Sequence, residues 1–281
     1  MSTTLRCGAQ SLNLDRPRVM GILNVTPDSF SDGGRFTDID DALHHAENLV
    51  AAGAHIVDVG GESTRPGAAE VSEQQELDRV IPVIEAIRNA LDVIISIDTS
   101  RASVMQQAAE AGAGFINDVR ALQGAQCAET AARLGLPVCL MHMKGTPATM
   151  QSQPDYSDVV SEVLEFLQRR TDDVVGLGIP PDQIIWDPGF GFGKTAEHNL
   201  QLLKGLSKLA DRASVLTGLS RKRLMADILD DASADRTVAS VSAAMLCVQR
   251  GASIVRVHDV RQTVDALKVL QAAETGNLPA W

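Results

Sequence analysis

The sequence has 281 residues, 44% of them hydrophobic, and a formal net charge of -11 at neutral pH. That length suits one large α/β barrel or two ordinary domains. So acidic a chain, with only 3% aromatic residues, lacks both a global attraction for polyanions and the stacking platforms of a single-strand binder, so neither a nucleic-acid nor a membrane partner is expected.

In chain order, residues 5–14 alternate weakly and fit a hairpin over a barrel floor. Short apolar runs follow at 19–26, 55–61, 93–99, 115–119, 138–143, 184–189, 215–220 and 254–259. Between them lie segments with apolar residues three and four apart, among them 38–52, 72–90, 155–178 and 235–250. Near-continuous apolar strands joined by helices indicate a parallel sheet covered on its outer face. Eight such units in this length favour a closed (β/α)8 TIM barrel of the α/β class over an open doubly wound sheet. No Gly-, Ser- or Pro-rich linker divides the chain, so one domain is expected over 1–281. The cysteines Cys7, Cys127, Cys139 and Cys247 include no CxxC pair and read as free thiols. The opening MSTTLRCGAQ has no apolar signal core, which makes the cytoplasm the expected compartment.

The catalytic face of such a barrel is built from the carboxyl ends of its strands. Strand 1 ends in Asn24, strand 2 carries Asp58 and runs into Glu62-Ser63-Thr64-Arg65-Pro66, and strand 3 ends in Asp98. Strand 4 ends in Asn117-Asp118, strand 5 in Met141-His142, strand 6 in Asp187 followed by Pro-Gly-Phe-Gly-Phe-Gly-Lys194. Strand 7 leads to Ser220-Arg221-Lys222 and strand 8 to Arg256-Val257-His258. Polar groups at buried strand ends are costly without partners, and their recurrence at every end points to one shared site. Asp98, Asn117 and Asp187 suit the edge of a flat, nitrogen-rich heterocycle, because a carboxylate accepts parallel N–H bonds. Arg65, Lys222, Arg256 and His258, with Arg35 and Arg221 nearby, form a local cationic cluster fit for a phosphorylated substrate.

These residues resemble the dihydropteroate synthase family. Gly21–Gly34, GILNVTPDSFSDGG, is similar to its first signature, and Val57–Gly67, VDVGGESTRPG, to its second. The strand-end segments match in order over roughly 19–260. The resemblance implies a barrel that joins 6-hydroxymethyl-7,8-dihydropterin diphosphate to 4-aminobenzoate, giving 7,8-dihydropteroate and pyrophosphate in folate biosynthesis, assisted by Mg2+ and inhibited by sulfonamides. It also implies a homodimer formed through the last helices. Carried over by position, Asp98, Asn117, Met141, Asp187 and Lys222 would hold the pterin. Asn24, Thr64, Arg256 and His258 would hold the pyrophosphate, with Asn24 as the protein ligand of Mg2+. Phe30, Arg65, Pro66, Phe190, Ser220 and Lys222 would surround aminobenzoate. Asp98, Lys222 and Asp32 would be the catalytic groups.

Two alternatives stand beside this reading: a methyltransferase-type barrel that binds a pterin or folate, and a catalytically silent paralogue. The Ser63-Thr64-Arg65-Pro66 and Ser220-Arg221-Lys222 segments argue against the first, and the completeness of the motifs against the second. Asp58 fits a buried structural carboxylate and a site role equally well. His142 reads as a satisfied core histidine, and Lys194 as a charge on the rim.

Overall fold

The computed structural model describes residues 4–26, 35–63, 71–145 and 154–278. An antiparallel hairpin, β1 (Thr4–Cys7) and β2 (Gln10–Asn13), precedes the barrel. The barrel strands are β3 (Arg18–Asn24), β4 (Ile56–Gly60), β5 (Ile94–Asp98), β6 (Phe115–Asp118), β7 (Val138–Met141), β8 (Ile184–Asp187), β9 (Ser214–Thr217) and β10 (Ala252–Val257). They close in the order β3 to β10, with β10 pairing β3 in parallel. The helices outside are α1 (Arg35–Ala51), α2 (Glu73–Ala90), α3 (Ala102–Ala111), α4 (Cys127–Leu134), α5 (Val159–Gly176), α6 (Ala196–Lys204), α7 (Ser207–Ala210), α8 (Arg223–Leu229), α9 (Thr237–Gln249) and α10 (Val260–Thr275).

The eight expected strands are all present, but most end one to three residues earlier than their apolar runs. Asn24, Asp98, Asn117, Asp118 and Asp187 stand in the last one or two positions of their strands, paired with the neighbouring strand, whereas His142, Ser220 and His258 belong to the loops. The expected helix over 235–250 starts at Thr237, and the shorter α8 precedes it.

Two cores arise from the period-two alternation of strand side chains. Val57, Val59, Ile95, Ile97, Ile116, Leu140, Trp186 and Val255 face outward into the main core with the helices. A second core fills the amino-terminal end of the barrel: Met20, Ile56, Ile94, Phe115, Cys139, Ile185, Leu216 and Ile254, one from each strand. The hairpin's Leu5, Cys7 and Leu12, with Leu14, close that layer from below. Gln183 ties the hairpin on, accepting from the Arg6 amide at 2.7 Å. Because the floor is packed with apolar side chains, any cavity chemistry is confined to the opposite end.

Candidate active site

Moving two residues along a strand from the floor keeps a side chain on the inner face. Two positions beyond Ile56, Ile94, Phe115, Cys139, Ile185 and Ile254 stand Asp58, Ser96, Asn117, Met141, Asp187 and Arg256. On β4, β5, β6, β8 and β10 the inner face therefore changes from apolar to polar in a single step, with Met141 the apolar exception on β7, and that step is the lower boundary of the site. Asp98 and His258 lie two residues further on, and Asn24 ends β3 opposite Gly60.

The centre of this layer is an ion-pair chain. Arg256 donates through Nε to Asp58 Oδ2 at 2.5 Å and through Nη2 to Asp98 Oδ2 at 2.8 Å. Asp58, wholly buried, also accepts from Ser96 Oγ at 2.5 Å and from Asn117 Nδ2 at 3.2 Å. Burial pushes the Asp98 carboxyl up to about 7, against the opposing attraction of Arg256. Burial would lower the Arg256 guanidinium too, but the two aspartates outweigh it and hold it charged. Asp187 is likewise raised by burial, and it accepts the Gly189 amide at 2.7 Å.

Lys222 enters from the loop after β9. Its ammonium donates to the Phe190 carbonyl and lies 4.3 Å from the centroid of the Phe192 ring. Burial draws it down to about 8, with Asp187 opposing. Ser220 and His258 brace one another: the Ser220 hydroxyl lies 3.0 Å from His258 Nδ1 and accepts the His258 amide at 3.1 Å. Arg221 turns outward and pairs with Asp259.

Asn24, Asp98, Asn117, Met141, Asp187, Ser220, Lys222, Arg256 and His258 are thus gathered at one end of the barrel. Phe190 is 1% exposed, its ring packed in the main core and its carbonyl accepting from Lys222. Phe192, which sequence reasoning passed over, sets its ring against the Lys222 ammonium. Lys194 is a correction. Read as a rim charge, it is 3% exposed, because the glycine-rich loop folds over its ammonium. Asp58, left open by the sequence between a buried structural carboxylate and a site role, lies on the inner face and accepts from Arg256, Ser96 and Asn117. Phe30, Asp32, Thr64, Arg65 and Pro66, and the side chain of Arg35, lie outside the described residues.

The stems of the segment carrying Thr64, Arg65 and Pro66 are anchored. Arg101 donates to Glu62 at 2.8 Å and to the Val71 carbonyl at 2.6 Å, and also pairs with buried Glu76. Among the described residues no group of three or more His, Cys, Asp or Glu could hold a metal. The carboxylates of Asp58 and Asp98 are engaged by Arg256, and Asn24 at the end of β3 carries an amide oxygen, a hard donor. A single oxygen ligand suits Mg2+, which keeps waters and takes phosphate oxygens.

A profile of the pterin binding enzyme family matches residues 20–258. The dihydropteroate synthase of Haemophilus influenzae is 53% identical over 262 residues, 93% of this chain and 95% of its own. The fold is similar to the Yersinia pestis dihydropteroate synthase solved with a sulfonamide drug: TM-score 0.91, 49% identity, 97% of this chain and 99% of that one. It is also similar to the Xanthomonas albilineans dihydropteroate synthase solved with 4-aminobenzoic acid: TM-score 0.92, 47% identity, 98% of this chain and 99% of that one.

Proposed function

Since the chain belongs to the pterin-binding enzymes, and among them to the dihydropteroate synthases, we propose that its barrel mouth divides between two substrates as follows. The enzyme condenses 6-hydroxymethyl-7,8-dihydropterin diphosphate with 4-aminobenzoate, releasing 7,8-dihydropteroate and pyrophosphate. Asp98, Asn117 and Asp187 receive the pterin edge, Met141 lines its apolar side, and Lys222 closes over it. Arg256, His258, Asn24 and Thr64 take the diphosphate. Lys222, Ser220, Phe190, Phe30, Arg65 and Pro66 surround aminobenzoate, and the same pocket admits sulfonamides.

The convergence of Asp98, Asn117, Asp187 and Lys222 above a sealed apolar floor carries this reading. In the reaction the carbon–oxygen bond between the pterin methylene and diphosphate breaks, the aromatic amine nitrogen forms a bond to that carbon, and the amine loses a proton. An aromatic amine is neutral at pH 7, so the hard step is charge separation at the leaving group. Arg256 has five N–H donors, and the Asp58 and Asp98 bonds leave some of them for phosphate oxygens. Asp98, and Asp32 from the first loop, stabilise the electron-poor pterin as the bond breaks. Asn24 would hold Mg2+, which when bound offsets charge on the departing pyrophosphate.

A cytoplasmic homodimer completes the proposal. Four buried free thiols suit a reducing compartment. Among the described residues no helix is long and apolar enough to cross a membrane. Exposed Ile228 and Leu229 on α8, Val238 on α9 and Val269 on α10 offer an apolar surface. The test mixes purified protein with Mg2+, the pterin diphosphate and labelled 4-aminobenzoate. Labelled dihydropteroate and one pyrophosphate per turnover are expected, with sulfonamide competing against aminobenzoate. No product under conditions where the pterin still binds would overturn the reading.

A further inference from the structure

Lys194 and His142 form a buried pair that the chemistry above does not use. They are 3% and 6% exposed. The Lys194 ammonium donates to the carbonyls of Gly189 at 2.9 Å and Phe192 at 3.0 Å, and meets His142 Nδ1 at 3.0 Å. Burial, and then the Lys194 charge, hold His142 down to about 3. The ring is neutral near pH 7, so Nδ1 accepts from the ammonium when the ring proton sits on Nε2. All these acceptors are uncharged. Burial draws Lys194 down to about 7, with Asp187 opposing; burying so polar a group is costly without partners, and its hydrogen bonds to the loop carbonyls are what offset that cost.

The loop that Lys194 grips has Lys222 on its other side. The Gly189 and Phe192 carbonyls turn to Lys194, while the Phe190 carbonyl accepts from Lys222 and the Phe192 ring lies against it. Gly191 separates the two: a Cβ there would stand 3.1 Å from Lys222 Cδ. Further ties leave the loop little freedom, with Tyr156 donating to the Gly193 carbonyl at 2.9 Å and the Gly191 amide donating to Asn199 at 2.8 Å.

We propose that Lys194, seated on His142, is a positioning residue for the aminobenzoate half of the site: it fixes the loop whose Phe190 carbonyl and Phe192 ring hold the Lys222 ammonium. This rests on the reading of Lys222 as the ammonium that faces aminobenzoate. Without Lys194 the Phe192 carbonyl loses the ammonium that donates to it and the Gly189 carbonyl keeps only the Phe192 amide, so the Lys222 seat loosens. Asp98 and Asn117, whose hydrogen bonds run to Arg256 and Asp58, keep their places. Lys222 meets both substrates and Asp187 is tied to the loop through the Gly189 amide, so the pterin feels part of the loss, but the larger share falls on aminobenzoate, which lacks the Asp98 and Asn117 anchors.

The test compares Lys194→Gln, His142→Phe and Lys222→Ala with the unmodified enzyme, varying each substrate in turn and recording thermal unfolding. His142→Phe keeps the ring volume and removes the acceptor. Lys194→Gln is expected to raise the aminobenzoate KM about tenfold, leaving the pterin-diphosphate KM within about threefold, as a small misplacement of one binding group would. His142→Phe moves the same constant in the same direction by less. An equal rise in both KM values, or an unchanged aminobenzoate KM in folded Lys194→Gln, overturns the proposal. If Lys194→Gln does not fold, His142→Phe decides by the same criterion. Normal kinetics for Lys222→Ala would sink the assignment of Lys222 itself. Lost turnover there, with both other variants normal, would sink this inference alone.

Discussion

At the scale of single residues, Asp58 shows how a group outside the reaction can tune one inside it. It shares the Arg256 guanidinium with Asp98 and, after burial and Arg256, is among the charges that set the Asp98 carboxyl, raising it. Asp58→Asn keeps the volume and removes that contribution, so Arg256 acts on Asp98 less opposed. The Asp98 carboxyl then titrates at lower pH than about 7, and it stays an acceptor for the pterin into more acidic solution. Pterin binding measured calorimetrically across pH 5–8 should show its acidic limb displaced to lower pH in Asp58→Asn. A limb that stays put or moves upward would contradict the arrangement. Truncating Arg256 is a cruder probe, since it strands buried Asp58 and lowers stability by about 3–5 kcal/mol. The pairing itself was not legible in the sequence: 198 positions separate the partners, and only barrel closure brings β10 beside β3, within reach of β4 one strand further on.

At the scale of elements, the loop after β8 is the most constrained part of the site. Gly189 has φ +66°, and a Cβ there would lie 1.9 Å from the His142 carbonyl oxygen. Gly135, the cap that ends α4, has φ +65° but nothing within 4 Å of a built Cβ. The pair separates backbone strain from collision. Gly135→Ala should cost about 1 kcal/mol through strain alone, whereas Gly189→Ala should cost on the order of 3 kcal/mol once the overlap is added. Urea unfolding of both variants measures the difference, and equal losses would show that the loop yields. In the sequence, Gly189-Phe-Gly-Phe-Gly193 shows only as a glycine-rich run after Asp187. It did not announce that the loop would fold over Lys194, because contacts with 142–144 and Tyr156 come from the preceding β/α unit. Strands and long helices were easier to read, since each carries its own periodicity, whereas short α7 and α8 carry too few turns to display one.

At the scale of the whole molecule, the apolar side chains left exposed on α8, α9 and α10 argue for association. Val238 is 78% exposed and Val269 67%, and isolated large apolar residues on neighbouring helices gain most when a second copy covers them. Sedimentation at micromolar concentration should give a dimer, and Val238→Asp should shift it toward monomer without loss of helix content. A monomeric unmodified enzyme would exclude this surface as an interface. The sequence by itself determined the eight β/α units, the hairpin, the acidic character and the polar residue at each strand end, because alternation and helical spacing are properties of neighbours along the chain. Only the tertiary structure decided which of those polar residues share a partner. It turned the Phe190 carbonyl and the Phe192 ring toward Lys222, buried Lys194 beneath the loop, and joined Asp58 to Asp98 through Arg256. Those outcomes depend on barrel closure and on how each loop folds across its neighbour, and no local pattern records either.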